Sequence, residues 1–150
     1  MSPEAAAALE AVAVRLGDAR VEFLLGGSAL LHALGLPVAV RDIDLVLRAE
    51  DREAFEDATA EWWRGTTTEP TPLFRSVWKA ELDVGGVEVD GLGGLAWVAD
   101  GHVIEMPFRV AGRWRCGAAD VPLAAPEDWL ALYDAYKPEH AALLREHGYG

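Results

Sequence analysis

Two aspartates stand two residues apart in the stretch VAVRDIDLVL, at Asp42 and Asp44. In an extended strand, residues i and i+2 share a face and lie about 6.6 Å apart along the chain. Two carboxylates so placed can both reach one magnesium ion, or a pair of metals about 3.5–4 Å apart. With no cation, charges about 4 Å apart repel by roughly 4 kcal/mol at an effective dielectric of about 20. Aspartate is depleted in strands, so local propensity does not explain the pair. The plain alternative is an exposed face solvated by water.

Upstream, an apolar run ends in Gly26-Gly27-Ser28. A strand that turns sharply into a helix leaves backbone N–H groups unpaired at the helix start. Glycines let a phosphate approach those groups, and the helix dipole favours its charge. The same three residues also make an ordinary tight turn with Ser28 as N-cap. Asp90 is a candidate third carboxylate, with Glu88 two residues before it, although Asp90-Gly91 equally reads as a turn opener. Glu81 and Asp83 crowd the same polar face, so some of these acids are simply solvated.

The elements that must position these groups follow from pattern. Ser2-Pro3-Glu4 reads as an N-cap, a proline at the first helical position and an acidic first turn, starting a helix that should run to about Leu16 and stop at Gly17. Residues 21–25 form a short buried strand, and Ser28 opens a short apolar helix over 29–34, closed by Gly35. Residues 40–47 are a strand. From 49 to about 63 the spacing is helical, with Phe55, Ala58, Trp62 and Trp63 as its buried stripe, and 65–72 is a loop.

Residues 74–84 and 87–92 flank Gly85-Gly86, a two-residue hairpin signal. Setting Val84 opposite Val87 sets Glu81 opposite Asp90. One face then carries Trp78, Ala80, Leu82, Val84, Val87 and Val89; the other is polar. Further strands are expected at 95–98, 102–110 and 112–116, then helices from Pro126 and from Pro138 to His147. The expectation is α+β, with residues 1–150 as one domain.

Composition narrows the function. Hydrophobic residues make up 51% and charged residues 25% of the chain, as in globular proteins rather than disordered tails. A net charge of −12 repels phosphate backbones and argues against nucleic acid as partner. A cationic small molecule, a metal–nucleotide complex or a basic protein fits that charge better. Cys116 is the lone cysteine, which excludes an intrachain disulfide or a cysteine-built zinc site and fits a reducing cytoplasm. The N-terminus lacks the basic leader of a signal peptide, and no apolar run reaches the ~20 residues of a membrane span. His32 reads as packing rather than a ligand. Of the tryptophans, Trp62, Trp63, Trp78 and Trp129 suit core faces; Trp97 and Trp114 leave room for a pocket or interface, with core as the default.

Taken together, Gly27-Ser28, thirteen intervening residues, Asp42-Ile43-Asp44-Leu45 and a later Val87-Glu88-Val89-Asp90 resemble the nucleotidyltransferase superfamily with the DNA polymerase beta type of catalytic domain. The likeness is nearest to small bacterial members, the minimal and the lincosamide or aminoglycoside nucleotidyltransferases. The resemblance implies a nucleotidyltransferase-like mixed sheet with helices on one face and the carboxylates on the other. It implies that Gly26, Gly27 and Ser28 hold the β- and γ-phosphates of a nucleoside triphosphate such as ATP. Asp42 and Asp44 would bind two Mg2+ ions. Asp90 would complete the metal site and help take the proton of an acceptor hydroxyl, on a small molecule or a protein.

Two departures stand out. Val38 and Val40 occupy the places where many relatives carry a basic and a hydroxyl residue, and Arg41 falls on the opposite strand face. Lys79, Arg75, Arg48 and Lys137 are then the candidates for neutralising the triphosphate. The chain also lacks a full helical substrate domain, so a homodimer is one way to complete acceptor recognition. The alternative function is a catalytically inactive nucleotide- or partner-binding module of the same fold, resembling an antitoxin.

Overall fold

The computed structural model describes residues 1–150. Helix α1 spans Pro3–Asp18, and the Ser2 hydroxyl accepts the Ala5 N–H at 3.1 Å, the expected N-cap. The helix runs past Gly17 because the left-handed residue that ends it is Arg20, at φ 58°, followed by the return bond from the Val21 N–H to the Leu16 carbonyl. Strand β1 is Leu24–Gly26 and helix α2 is Gly27–Ala33. Gly26, not Ser28, is the N-cap, so the Ser28 hydroxyl makes no capping bond.

Strand β2 is Ile43–Leu47, shorter than the pattern suggests, with Asp42 in the bend just before it. The expected long helix over 49–63 is instead a 3-10 turn, Ala49–Asp51, and helix α3, Arg52–Ala58. Thr59 ends it: its buried hydroxyl donates to the Phe55 carbonyl at 2.7 Å, and its own carbonyl receives the Trp62 and Trp63 N–H groups. The chain then enters β3, Trp63–Thr67, across residues whose composition reads as loop. Trp63 lies on this edge strand and is exposed, whereas Trp62 is covered by the Arg15 guanidinium at 4.4 Å.

Strands β4, Trp78–Val84, and β5, Val87–Gly93, pair in the expected register, Val84 with Val87 and Glu81 with Asp90. A small hairpin, β6 (Ala96–Ala99) and β7 (His102–Glu105), stands apart. Strands β8, Gly112–Cys116, and β9, Ala119–Leu123, return to the main sheet. Pro122 masks β9 in the sequence, because proline removes a ladder donor. The strand tolerates it because β9 meets β1 at one register position, Leu25 with Leu123. Helices α4, Pro126–Tyr136, and α5, Pro138–Glu146, close the chain.

The fold is α+β: a mixed seven-stranded sheet in the order β3-β4-β5-β2-β1-β9-β8. One face is apolar. Ile43, Leu45, Val89, Ala80 and Leu82 are all at most 2% exposed and join one core with α1 and Phe55 of α3. Gly91 of β5 belongs to that packing, since a Cβ there would stand 2.7 Å from the Phe55 ring. No helix is long and apolar enough to cross a membrane.

Candidate active site

The strand order does what local pattern cannot. Gly26 pairs with Asp44, Asp44 with Asp90, and Asp90 with Glu81, so one transverse row crosses β1, β2, β5 and β4. Paired residues point to the same face, and neighbouring strands lie about 4.7–4.9 Å apart. The row therefore sets carboxylates side by side on the face opposite the core. Asp42 joins from the bend ahead of β2, and carboxylate oxygens of Asp42, Asp44 and Asp90 lie within 4.8 Å of one another. Glu81, Glu88 and Asp90 form a second such triad, sharing Asp90 with the first.

Electrostatics record this crowding. Burial, then the charges of Asp42 and Asp90, push Asp44 up to about 7 from an ordinary 3.8. Burial raises Asp90 to about 6, with Lys79 pulling the other way and Glu88, Asp42 and Glu81 adding to the rise. Asp90 is 6% exposed and its Oδ1 has no hydrogen-bond partner. A buried carboxylate oxygen left unpaired is costly, and a cation relieves it. Clustered hard oxygen donors of this kind fit magnesium.

The turn at Gly26-Gly27 is built against these acids. Gly27 has φ +60°, and a Cβ there would sit 2.4 Å from Asp44 Oδ2. A Cβ on Gly26 would meet the Trp129 ring at 2.1 Å, so Trp129 of α4 lies on the acid side of the row. Ser28, half-buried, follows in the first turn of α2. The structure thus brings all six candidate residues, Gly26, Gly27, Ser28, Asp42, Asp44 and Asp90, to one locality.

Beside the acids opens a cavity of about 380 Å³. It is lined by Asp42, Asp44 and Asp90 and, among its apolar groups, by Phe74, Leu132 and Tyr136. Gly26, Gly27 and Ser28 do not line it; they adjoin it through Asp44. Phe74 and Tyr136 meet edge to face at 5.5 Å. The Tyr136 hydroxyl is pushed up to about 12 by burial and by Asp44 and Asp42. These aromatics escape sequence reading because Phe74 comes from an irregular segment and Tyr136 from the last turn of α4, and nothing local joins them.

Among the four basic candidates, only Lys79 lines the cavity. Arg48 pairs with Glu22 at 3.1 Å and lies over Phe108 at 4.2 Å. Arg75 is turned onto the Thr71 carbonyl. Lys137 is the N-cap residue between α4 and α5. His32 packs edge to face on Trp114 at 5.9 Å, as a packing residue should. Trp97 is 1% exposed and belongs to the core, the default reading.

No protein-family model matches the sequence. No curated protein matches it either. Solved structures do match. A candidate nucleotidyltransferase of Thermotoga maritima superposes with a TM-score of 0.79 at 22% identity, covering 98% of this chain and 94% of the other. The antibiotic-resistance factor ANT(2'')-Ia in solution gives 0.67 at 18% identity, over 98% and 85%. ANT(2'')-Ia in complex with adenylyl-2''-tobramycin gives 0.60 at 16%, over 93% and 85%. The chain has a small nucleotidyltransferase-type fold.

Proposed function

We propose that the protein is a magnesium-dependent nucleotidyltransferase, moving a nucleoside monophosphate from a nucleoside triphosphate to a hydroxyl of an acceptor. The observation that carries this reading is the row Gly26–Asp44–Asp90, which sets carboxylates from two strands against a glycine turn, in a fold shared with nucleotidyltransferases. Asp42, Asp44 and Asp90 would hold the magnesium ions. Bound there, magnesium supplies charge neutralisation on the triphosphate and the departing pyrophosphate. Gly26, Gly27 and Ser28 would receive the β- and γ-phosphates, with the absent Cβ of Gly27 leaving the approach open.

Asp90 would take the proton of the acceptor hydroxyl. The freed oxygen then attacks the α-phosphorus in line, the bridging bond from the α-phosphorus to the β-phosphate oxygen breaks, and pyrophosphate leaves with that electron pair. The chain's own part is to hold both reactants in line and to accept the proton.

The acceptor follows from charge. Outside the three aspartates that would hold metal, the cavity lining carries Glu69 and Glu81 against the single ammonium of Lys79. Such a lining favours an acceptor bearing positive charge, and the net charge of −12 disfavours nucleic acid. ANT(2'')-Ia is described with adenylyl-2''-tobramycin, an antibiotic carrying an adenylyl group, and a small hydroxyl acceptor of that general kind suits this cavity.

The test is a melting curve with magnesium and each of the four common nucleoside triphosphates. At a hundredfold excess over its dissociation constant a ligand adds about 2.7 kcal/mol. The expected result is that the triphosphate adds stabilisation beyond that of magnesium alone, and that this addition is absent in Asp42→Asn. No stabilisation in the wild-type protein refutes the reading. Pyrophosphate release with a panel of hydroxyl acceptors then separates an enzyme from an inactive binding module.

A further inference from the structure

Lys79 stands where two acidic triads meet. Its Nζ is 3.8 Å from Asp90 Oδ2 and 3.9 Å from Glu81 Oε1, so the second triad, Glu81, Glu88 and Asp90, already holds an ammonium between two of its members. The first triad, Asp42, Asp44 and Asp90, has no side-chain cation of its own. Asp90 belongs to both, one oxygen facing Lys79 and the other without a hydrogen-bond partner.

The contacts of Lys79 are loose. A hydrogen bond from nitrogen to oxygen spans about 2.7–3.2 Å, so at 3.8 and 3.9 Å this ammonium is held by charge rather than by directed bonds. Its side chain is 42% exposed, and it is the cavity's one basic residue. A flexible four-carbon stem with a compact charge at its end is suited to changing partners.

We propose that Lys79 is an exchangeable counter-ion that couples metal binding to polyphosphate binding. In the metal-free protein it neutralises Asp90 from the Glu81 side. A divalent cation held by Asp42, Asp44 and Asp90 repels the ammonium and takes over Asp90's charge. Lys79 then turns into the cavity and pairs with the polyphosphate tail. Lys79 thus weakens binding of the bare metal and strengthens binding of the polyphosphate once metal is present. This rests on the three aspartates being a divalent-cation site, the reading given above.

The experiment measures Mn2+ binding to the full chain by the loss of the free-ion paramagnetic resonance signal, with no nucleotide present. Inorganic tripolyphosphate binding to the Mn2+-loaded protein is then measured by calorimetry. Lys79→Met and Lys79→Gln are each expected to bind Mn2+ about three- to tenfold more tightly than wild type, since a nearby, partly screened positive charge is gone. Both should bind tripolyphosphate about tenfold more weakly. Lys79→Arg keeps the charge and should stay close to wild type in Mn2+ affinity.

Unchanged or weaker Mn2+ binding in both neutral variants overturns the exchange, while leaving the aspartate site standing. A Lys79→Arg protein that matched the neutral variants would overturn it too, because charge would not be the cause. If the wild-type protein takes up no Mn2+, the exchange and the nucleotidyltransferase reading fall together.

Discussion

Replacing Asp44 by asparagine should stabilise the metal-free protein and abolish its response to magnesium. In the unfolded chain this carboxyl ionises near 3.8, whereas the fold holds its proton up to about 7, through burial first and then through Asp42 and Asp90. Protonation therefore favours the folded state. That contribution is whole below about pH 4 and is lost as the pH climbs towards 7. At 1.36 kcal/mol per pKa unit, the full loss from this one group is roughly 4 kcal/mol, of which roughly 3 kcal/mol falls between pH 5 and pH 8. Asp44→Asn has no such loss. Its amide must find partners of its own in a half-buried place, so the net gain at pH 8 should be roughly 1–3 kcal/mol, or about 2–12 °C in melting temperature for a chain of this size.

The assay is thermal unfolding of both proteins in EDTA at pH 5 and pH 8, repeated at pH 8 with magnesium. The asparagine variant should gain on wild type as the pH rises. Asp90, raised to about 6, loses stability over part of the same range in both proteins; because it is coupled to Asp44, removing the Asp44 charge also lightens that loss, which adds to the variant's gain. Magnesium should then raise the wild-type midpoint and leave the variant's unmoved. A variant that melts below wild type at pH 8 in EDTA would refute the reasoning, since it would mean that the Asp44 carboxylate is satisfied where it stands.

Two further substitutions probe the turn. Gly27→Ala places a Cβ 2.4 Å from Asp44 Oδ2 at φ +60°; the left-handed backbone costs about 1–2 kcal/mol. Chemical denaturation should show that loss, and the magnesium-induced melting shift should shrink further because Asp44 is pushed aside. Gly26→Ala drives a methyl to 2.1 Å from the Trp129 ring, so α4 must give way. Such overpacking costs about 1–3 kcal/mol; Trp129 fluorescence should shift with it, and an unshifted spectrum at full stability would contradict the packing described.

Much of the site was legible in the sequence, and the rest was hidden for definite reasons. Gly85-Gly86 determines the β4–β5 register from local chemistry, which is why Glu81 faces Asp90 as expected. The pairing of Asp44 with Asp90 is different in kind. It joins β2 to β5 in parallel, across forty-odd residues of chain, and no turn residue specifies it. Only the likeness to a known family anticipates it. The helix expected over 49–63 stops at Ala58, although the apolar spacing of Phe55, Ala58 and Trp62 continues through the turn that Thr59 opens. Lys79 could be named from sequence yet not ranked: the hairpin register sets it near Asp90, but only the long-range pairing of β2 with β5 brings Asp44 to the same place.

The row of paired residues also explains why the acids cannot simply relax apart. Like charges on loops lower their repulsion by spreading. Here Asp44 and Asp90 are carried by strands whose alternate residues, Ile43, Leu45 and Val89, are entirely buried in the core beneath. Slipping either strand by one residue to separate the carboxylates would turn those apolar side chains out to the cavity and the acids into the core. Burying one such side chain contributes about 1.5–3 kcal/mol, so the three that β2 alone carries on that face, Ile43, Leu45 and Leu47, outweigh the roughly 4 kcal/mol that ionising Asp44 costs the fold. The sheet therefore holds the carboxylates together against their repulsion, and the simplest relief left to the protein is a positive charge brought in from outside or, in its absence, the ammonium of Lys79.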